Sequence, residues 1–155
     1  MRKKHIMQGL LLFAIAISPL YPATVSFLVM ETGLSVESPA SQQSAMWENG
    51  LLDVFFEAGH IVSNSPIMRL RQRPGDGFPG EAKRDFELAK EGMMDFFVIA
   101  VVSHPAPYNV SLRMFRTNSQ QMILEHQYTY KTYKTRKEEY DAIKQEILVL
   151  AARIR

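Results

Sequence analysis

Histidine is the first residue type to weigh, because it titrates near neutral pH and its ring nitrogens bind metals. His60, His104 and His126 lie far apart in the chain, and none has a partner at the i, i+4 spacing that sets two ligands on one helix face. The chain has no cysteine, so thiolate metal sites, disulfides and a cysteine nucleophile are excluded. Acid–base catalysis needs carboxylates whose surroundings drive their pKa values apart. Asp53, Glu57, Asp85, Glu87, Glu91 and Asp95 are available, but most fall on polar helix faces, and Asp95 sits at a turn before an apolar strand. No Gly-x-Ser-x-Gly turn presents a serine nucleophile, and the stretch from Gly75 to Gly80 lacks the Gly-Lys-Ser/Thr ending of a phosphate cradle. These residue types assemble no catalytic set, no metal site and no cofactor site. The alternative is a small exported hydrolase or ligand-binding enzyme using His104, which requires a carboxylate within hydrogen-bond reach, about 3 Å.

Two stretches carry the side chains suited to holding a partner. Residues 71–80 (RQRPGDGFPG), with two prolines and three glycines, cannot sustain regular structure and are expected to form a mobile loop presenting Arg71, Arg73 and Phe78. Residues 128–137 (YTYKTYKTRK) interleave aromatic and basic side chains and offer Tyr128, Tyr130, Lys131, Tyr133 and Lys134. That composition suits single-stranded nucleic acid. Alternate tyrosines packing inward, with lysines guarding an edge strand, account for it better. Charge agrees. Removing Arg2, Lys3 and Lys4 of the leader from the 18 basic residues leaves 15 against 16 acids, a net of −1. No overall field draws the remainder to nucleic acid.

The elements that must position these groups follow from apolar spacing. Residues 25–31 (VSFLVME) are apolar on both faces, as in a central strand. Ser41 or Ser44 can cap a helix whose stripe is Trp47, Leu51, Val54, Phe55 and Ala58, with Gly59 as its stop. A short strand at 60–63, extended by 67–70 past the break at Pro66, precedes the loop. A helix over 81–94 buries Phe86, Ala89 and Met93, and 96–102 (FFVIAVV) is the most strongly apolar strand. Val110, Leu112 and Met114 alternate with Ser111, Arg113 and Phe115, predicting one buried face, and Met122, Leu124, His126, Tyr128 and Tyr130 repeat the pattern after the turn at Asn118-Ser119. A helix over 135–154 closes the chain on Tyr140, Ile143, Ile147, Leu150, Ala151 and Ile154. The expected fold is α/β of the α+β kind: one domain over 24–155, with helices covering a mixed sheet of about five strands in the order β-α-β-α-β-β-β-α.

The first 23 residues have the layout of a signal peptide, with Arg2-Lys3-Lys4-His5 followed by a mostly apolar run from Ile6 to Leu20 and the small residue Ala23. Cleavage is expected after Ala23. Tyr21 stands where a small side chain is expected, so an uncleaved anchor is the competing outcome. An exported, periplasmic location follows, with membrane contact only through this segment if it is kept.

The helix ending Phe55-Phe56-Glu57-Ala58-Gly59 before a strand, and Leu88-Ala89-Lys90-Glu91-Gly92 leading into Asp95-Phe96-Phe97-Val98-Ile99, resemble a known group. It is the periplasmic α/β domain shared by curli-secretion channel proteins, lipoprotein activators of penicillin-binding proteins and the amino-terminal domain of the Tol propeller protein. The resemblance implies a non-enzymatic cell-envelope domain that docks onto another protein. The chain lacks the lipobox cysteine of the lipoprotein members, and Ser103-His104-Pro105 stands where a glycine usually follows the third strand. No functional residue is carried over.

Overall fold

The computed structural model describes residues 21–154. All of the expected leader except Tyr21–Ala23 lies outside the described residues. The chain runs β1 (Thr24–Thr32), α1 (Gln42–Glu57), β2 (Ile61–Asn64), β3 (Met68–Leu70), α2 (Lys83–Glu91), β4 (Phe96–Ser103), β5 (Asn109–Arg116), β6 (Met122–Thr129) and α3 (Arg136–Ala151). The strands form one mixed sheet in the order β2-β1-β4-β5-β6, with β3 also paired to β1. β1 is parallel to β2, β3 and β4, whereas β4, β5 and β6 form an antiparallel meander.

Two strands without polar alternation determine the layering. From Val25 to Thr32 and from Phe96 to Val102 every residue is buried, so both sheet faces need cover. Val25, Phe27 and Val29 of β1, with Val98 and Ala100 of β4, pack under Trp47, Leu51 and Phe55 of α1 and Ile143, Ile147 and Leu150 of α3. Leu28, Met30, Phe97 and Ile99 point the other way, against Phe86 and Ala89 of α2. Ser41 caps α1 by accepting the Ser44 N–H at 3.1 Å, and Gly59 ends it with φ 84. Gly50 lets the two covering helices approach: a Cβ there would lie 3.0 Å from both Ile143 Cγ2 and Ile147 Cδ1.

Four expectations need correction. Ala58 is exposed and lies beyond the end of α1. Met93 is likewise exposed, because α2 stops at Glu91 after starting from a 3-10 turn at Gly80–Ala82. β5 is buried on both faces: Ser111, Arg113 and Phe115 are as covered as Val110, Leu112 and Met114. The cover is the segment expected to be a mobile loop. Pro74 and Pro79 are buried, and the Phe78 ring packs edge-on against Phe86 and Phe115.

Arg113 explains why that segment stays on the sheet. The residue is 1% exposed, and its guanidinium donates to the carbonyls of Gly75 and Gly77 at 2.9 and 2.8 Å and to Glu125 at 3.1 Å. Burying an unpaired charge costs several kcal/mol, so the carbonyls that satisfy it are also held by it. Arg113→Ala should cost about 3 kcal/mol in denaturant unfolding and make tryptic cleavage after Arg71 faster while the helical circular dichroism signal is kept. Cleavage no faster than in the native chain would mean that Phe78 and the prolines hold the loop unaided.

Candidate functional site

The crossover from β1 to β2 passes over one sheet face through α1, and the crossover from β3 to β4 passes over the other through α2. Between β1 and β4 the connections therefore diverge, and the carboxyl ends of such strands are where open α/β sheets collect their ligands. Glu31 near the end of β1 and His104 just past β4 meet there. Gly33 makes the approach possible: its φ is 85, and a Cβ would fall 2.2 Å from the His104 carbonyl oxygen.

Glu31 is 2% exposed, yet its carboxylate is well supplied with donors. It accepts the Ser41 N–H at 2.9 Å, the Ser44 hydroxyl at 2.5 Å and Arg69 Nε at 3.2 Å. His104 Nε2 lies 3.5 Å from Glu31 Oε2 and 3.2 Å from Ser41 Oγ. Burial alone would raise the Glu31 pKa; hydrogen bonds from Ser41 and Ser44 and the field of His104 outweigh it and hold the group below its usual value. The arrangement ties three elements together: α1 by its first-turn donors, β3 by Arg69, and the β4–β5 connection by His104. Arg69 also donates to the Ser35 carbonyl, which fastens the loop before α1.

His104 is neither solvated nor alone, so the condition for hydrolytic chemistry is met in part. The geometry argues against a triad. Serine and carboxylate share the same ring nitrogen, whereas a working dyad needs the acid on the opposite nitrogen to set the tautomer. Ser41 Oγ is further engaged as the helix cap, with the Ser44 N–H and the Ser44 hydroxyl both at 3.1 Å. Of the other histidines, His126 pairs with Glu146 of α3 at 2.6 Å, and burial holds His60 below its usual pKa. Among the described residues no group of three metal-ligating side chains lies together.

Beside His104 an aromatic row continues outward. His104 lies 5.7 Å from the Tyr108 ring, Tyr108 4.6 Å from Tyr130, and Tyr130 6.0 Å from Tyr133. Tyr108 donates to Glu139 at 2.7 Å, and the hydroxyls of Tyr128 and Tyr133 are 2.8 Å apart. Burial, reinforced by these contacts, pushes the Tyr108 and Tyr128 hydroxyls up, so they stay protonated at neutral pH.

The eight residues singled out in the sequence do not form one surface. Phe78 belongs to the core on the α2 face, while Tyr128 is 4% exposed on the α1 face, 5.5 Å from Trp47. Arg71 and Arg73 are exposed beyond β3 at one side of the sheet. Tyr130, Lys131, Tyr133 and Lys134 do belong together, as a shelf following β6 at the other side, with both lysines exposed and both tyrosines half-buried. The residues missed were Glu31, Ser41 and Arg69. An acid inside the apolar run VSFLVME was the available signal, since a buried carboxylate must find donors.

Glu31 offers a check with a definite sign. A carboxylate whose folded pKa lies below its ordinary value of 4.5 contributes stability that is complete above that value and is lost as pH falls through the folded one. Glu31→Gln should lower stability at neutral pH and flatten its dependence as pH falls below 4.5. Parallel acid profiles of the two proteins in chemical unfolding would show that Glu31 is not the group responsible.

No protein-family model matches the chain, and no curated protein sequence matches it. Solved structures do. PelC from Paraburkholderia phytofirmans, determined as a dodecamer, is 10% identical with a TM-score of 0.55, covering 85% of this chain and 89% of its own. The hypothetical protein CT253 from Chlamydia trachomatis is 11% identical with a TM-score of 0.50, covering 85% and 98%. The LpoB C-terminal domain from Salmonella enterica matches at 10% identity and a TM-score of 0.42, covering 74% and 87%. The chain thus shares the fold of PelC and CT253, an α+β domain with three helices packed on a mixed six-stranded sheet.

Proposed function

We propose that this protein is a non-enzymatic module of the cell envelope, exported by its amino-terminal segment, that works by binding a protein partner. The observation that carries the proposal is the shelf of Tyr130, Lys131, Tyr133 and Lys134. Its tyrosines are braced by Tyr108 and by the Tyr128–Tyr133 hydroxyl contact. Rigid aromatic side chains with one polar end make strong binding anchors because little rotamer freedom is lost on contact. Lys131 and Lys134 beside them suit a partner with acidic residues around an apolar patch. Arg71 and Arg73 form a second, separate candidate surface. Similarity to PelC, a fold found in an assembled dodecamer, supports an assembly role.

A second reading, hydrolysis at His104, draws on the 3.2 Å contact with Ser41. The saturated cap around Ser41 and the shared ring nitrogen make it the weaker one.

Photo-crosslinkable residues placed at Lys131 and Lys134 in the exported protein should trap one envelope protein. Tyr133→Ala should reduce that product several-fold, in line with the 1 kcal/mol or more at stake in an aromatic anchor. An export reporter fused behind Thr24 should be active only outside the cytoplasm. A crosslink arising equally from Arg71 and lost with Arg71→Ala, Arg73→Ala would move the interface to the other side of the sheet. A reporter that stays inside would remove the envelope setting.

A further inference from the structure

The shelf and the Glu31 network occupy the pole where β1 and β4 end. The opposite pole, where β1, β2 and β4 begin, has a different character. The four most exposed large apolar side chains among the described residues all lie there: Met93 at 84%, Tyr21 at 83%, Phe56 at 75% and Ile61 at 56%. Register and backbone bonding place them together. Thr24 pairs with Ile61, and Val25 with Phe96. The Ile61 N–H donates to the Ala23 carbonyl and the Asp95 N–H to the Thr24 carbonyl, each at 3.0 Å. Phe56 occupies the last turn of α1, which returns through Gly59 into β2. Met93 holds a left-handed backbone, φ 55, in the turn between α2 and β4, a conformation that bulky residues rarely adopt.

Basic groups stand beside these side chains. Lys90 and Arg116 line one shallow cavity with Met93 and Asp95, whose carboxylate accepts from the Thr24 N–H and hydroxyl at 2.8 and 2.9 Å, and the Arg116 guanidinium lies 5.5 Å from the Phe96 ring. The chain enters the fold at this same pole. The residues before Tyr21 comprise Arg2-Lys3-Lys4 and the apolar run Ile6 to Leu20. Only Tyr21, Pro22 and Ala23 separate that run from Thr24, a span of about 10 Å when extended. Whatever takes up Ile6 to Leu20 is held close to Phe56, Ile61 and Met93.

We infer that this pole seats on the surface of a lipid bilayer, with Phe56, Ile61 and Met93 entering the boundary between headgroups and acyl chains and Lys90 and Arg116 at the level of the phosphates. Exposed apolar side chains with basic groups beside one of them, Met93, suit an interfacial docking surface, and tyrosine at the position of Tyr21 suits the same layer. The inference requires residues 1–20 to stay attached, the competing outcome to cleavage after Ala23; it does not depend on the role of the shelf, which faces away from the membrane in this arrangement.

The absence of cysteine allows a direct test. Phe56→Cys, Ile61→Cys and Met93→Cys, with Val36→Cys and Lys131→Cys from the opposite pole, are each labelled with an environment-sensitive fluorophore. The full chain is then reconstituted in vesicles of phosphatidylethanolamine and phosphatidylglycerol, with and without doxyl-labelled lipid. The first three labels should shift to the blue and lose about half or more of their emission to the doxyl lipid, while the labels at 36 and 131 stay unchanged. Labels at 56, 61 and 93 that remain as wet as those at 36 and 131 overturn the inference. So does equal quenching at both poles. A blue shift without doxyl quenching assigns the pole to a second copy of the chain and overturns it as well, and so does a mature envelope protein that begins at Thr24.

Discussion

Pairing of β1 with β4 is the constraint from which the rest of the molecule follows. Both strands are buried on both faces and lie side by side in parallel register from Val25↔Phe96 to Thr32↔Ser103. Parallel neighbours cannot be joined by a tight turn, so the chain must cross over the sheet between them. It crosses twice, once on each face, and in doing so supplies the cover that the two strands need. Between these crossovers the strand ends are left open, and the polar network of Glu31 fills that opening.

That network combines two physical demands. A buried carboxylate must be hydrogen-bonded, and the first turn of a helix has N–H groups without partners. Glu31 meets both by sitting at the start of α1, where the Ser41 N–H and the Ser44 hydroxyl converge on it. Arg69 then compensates its charge from the neighbouring strand. The result anchors the helix by its end, while Gly50 sets how closely its middle approaches α3. Around His104 the Ser41 hydroxyl is already engaged as the helix cap, whereas Arg69 Nη1 is buried without a partner.

The two poles of the sheet differ because the connections at each pole differ. At the strand-end pole, long polar connections fold back and bring Tyr108, Tyr130 and Tyr133 into a row. At the strand-start pole, short turns after α1 and α2 leave little chain to cover Phe56, Ile61 and Met93. The doubly covered sheet separates the two poles, so each presents its own surface.

Most of the fold was legible in the amino-acid sequence. Helices α1 and α3 show in the spacing of Trp47, Leu51 and Val54 and of Ile143, Ile147 and Leu150, and β4 in seven consecutive apolar residues, because burial against a layer imposes its period on the chain. What escaped was settled by contacts distant in sequence. Arg113 has the pattern of a solvent-facing residue in a half-buried strand, and only the carbonyls of Gly75 and Gly77, delivered by a loop almost forty residues earlier, make its burial possible. Glu31, Ser41, Arg69 and His104 likewise become one network only when β1, α1, β3 and the end of β4 meet in space. Local periodicity records which side of an element is covered; which polar group finds which partner is decided by the folded chain.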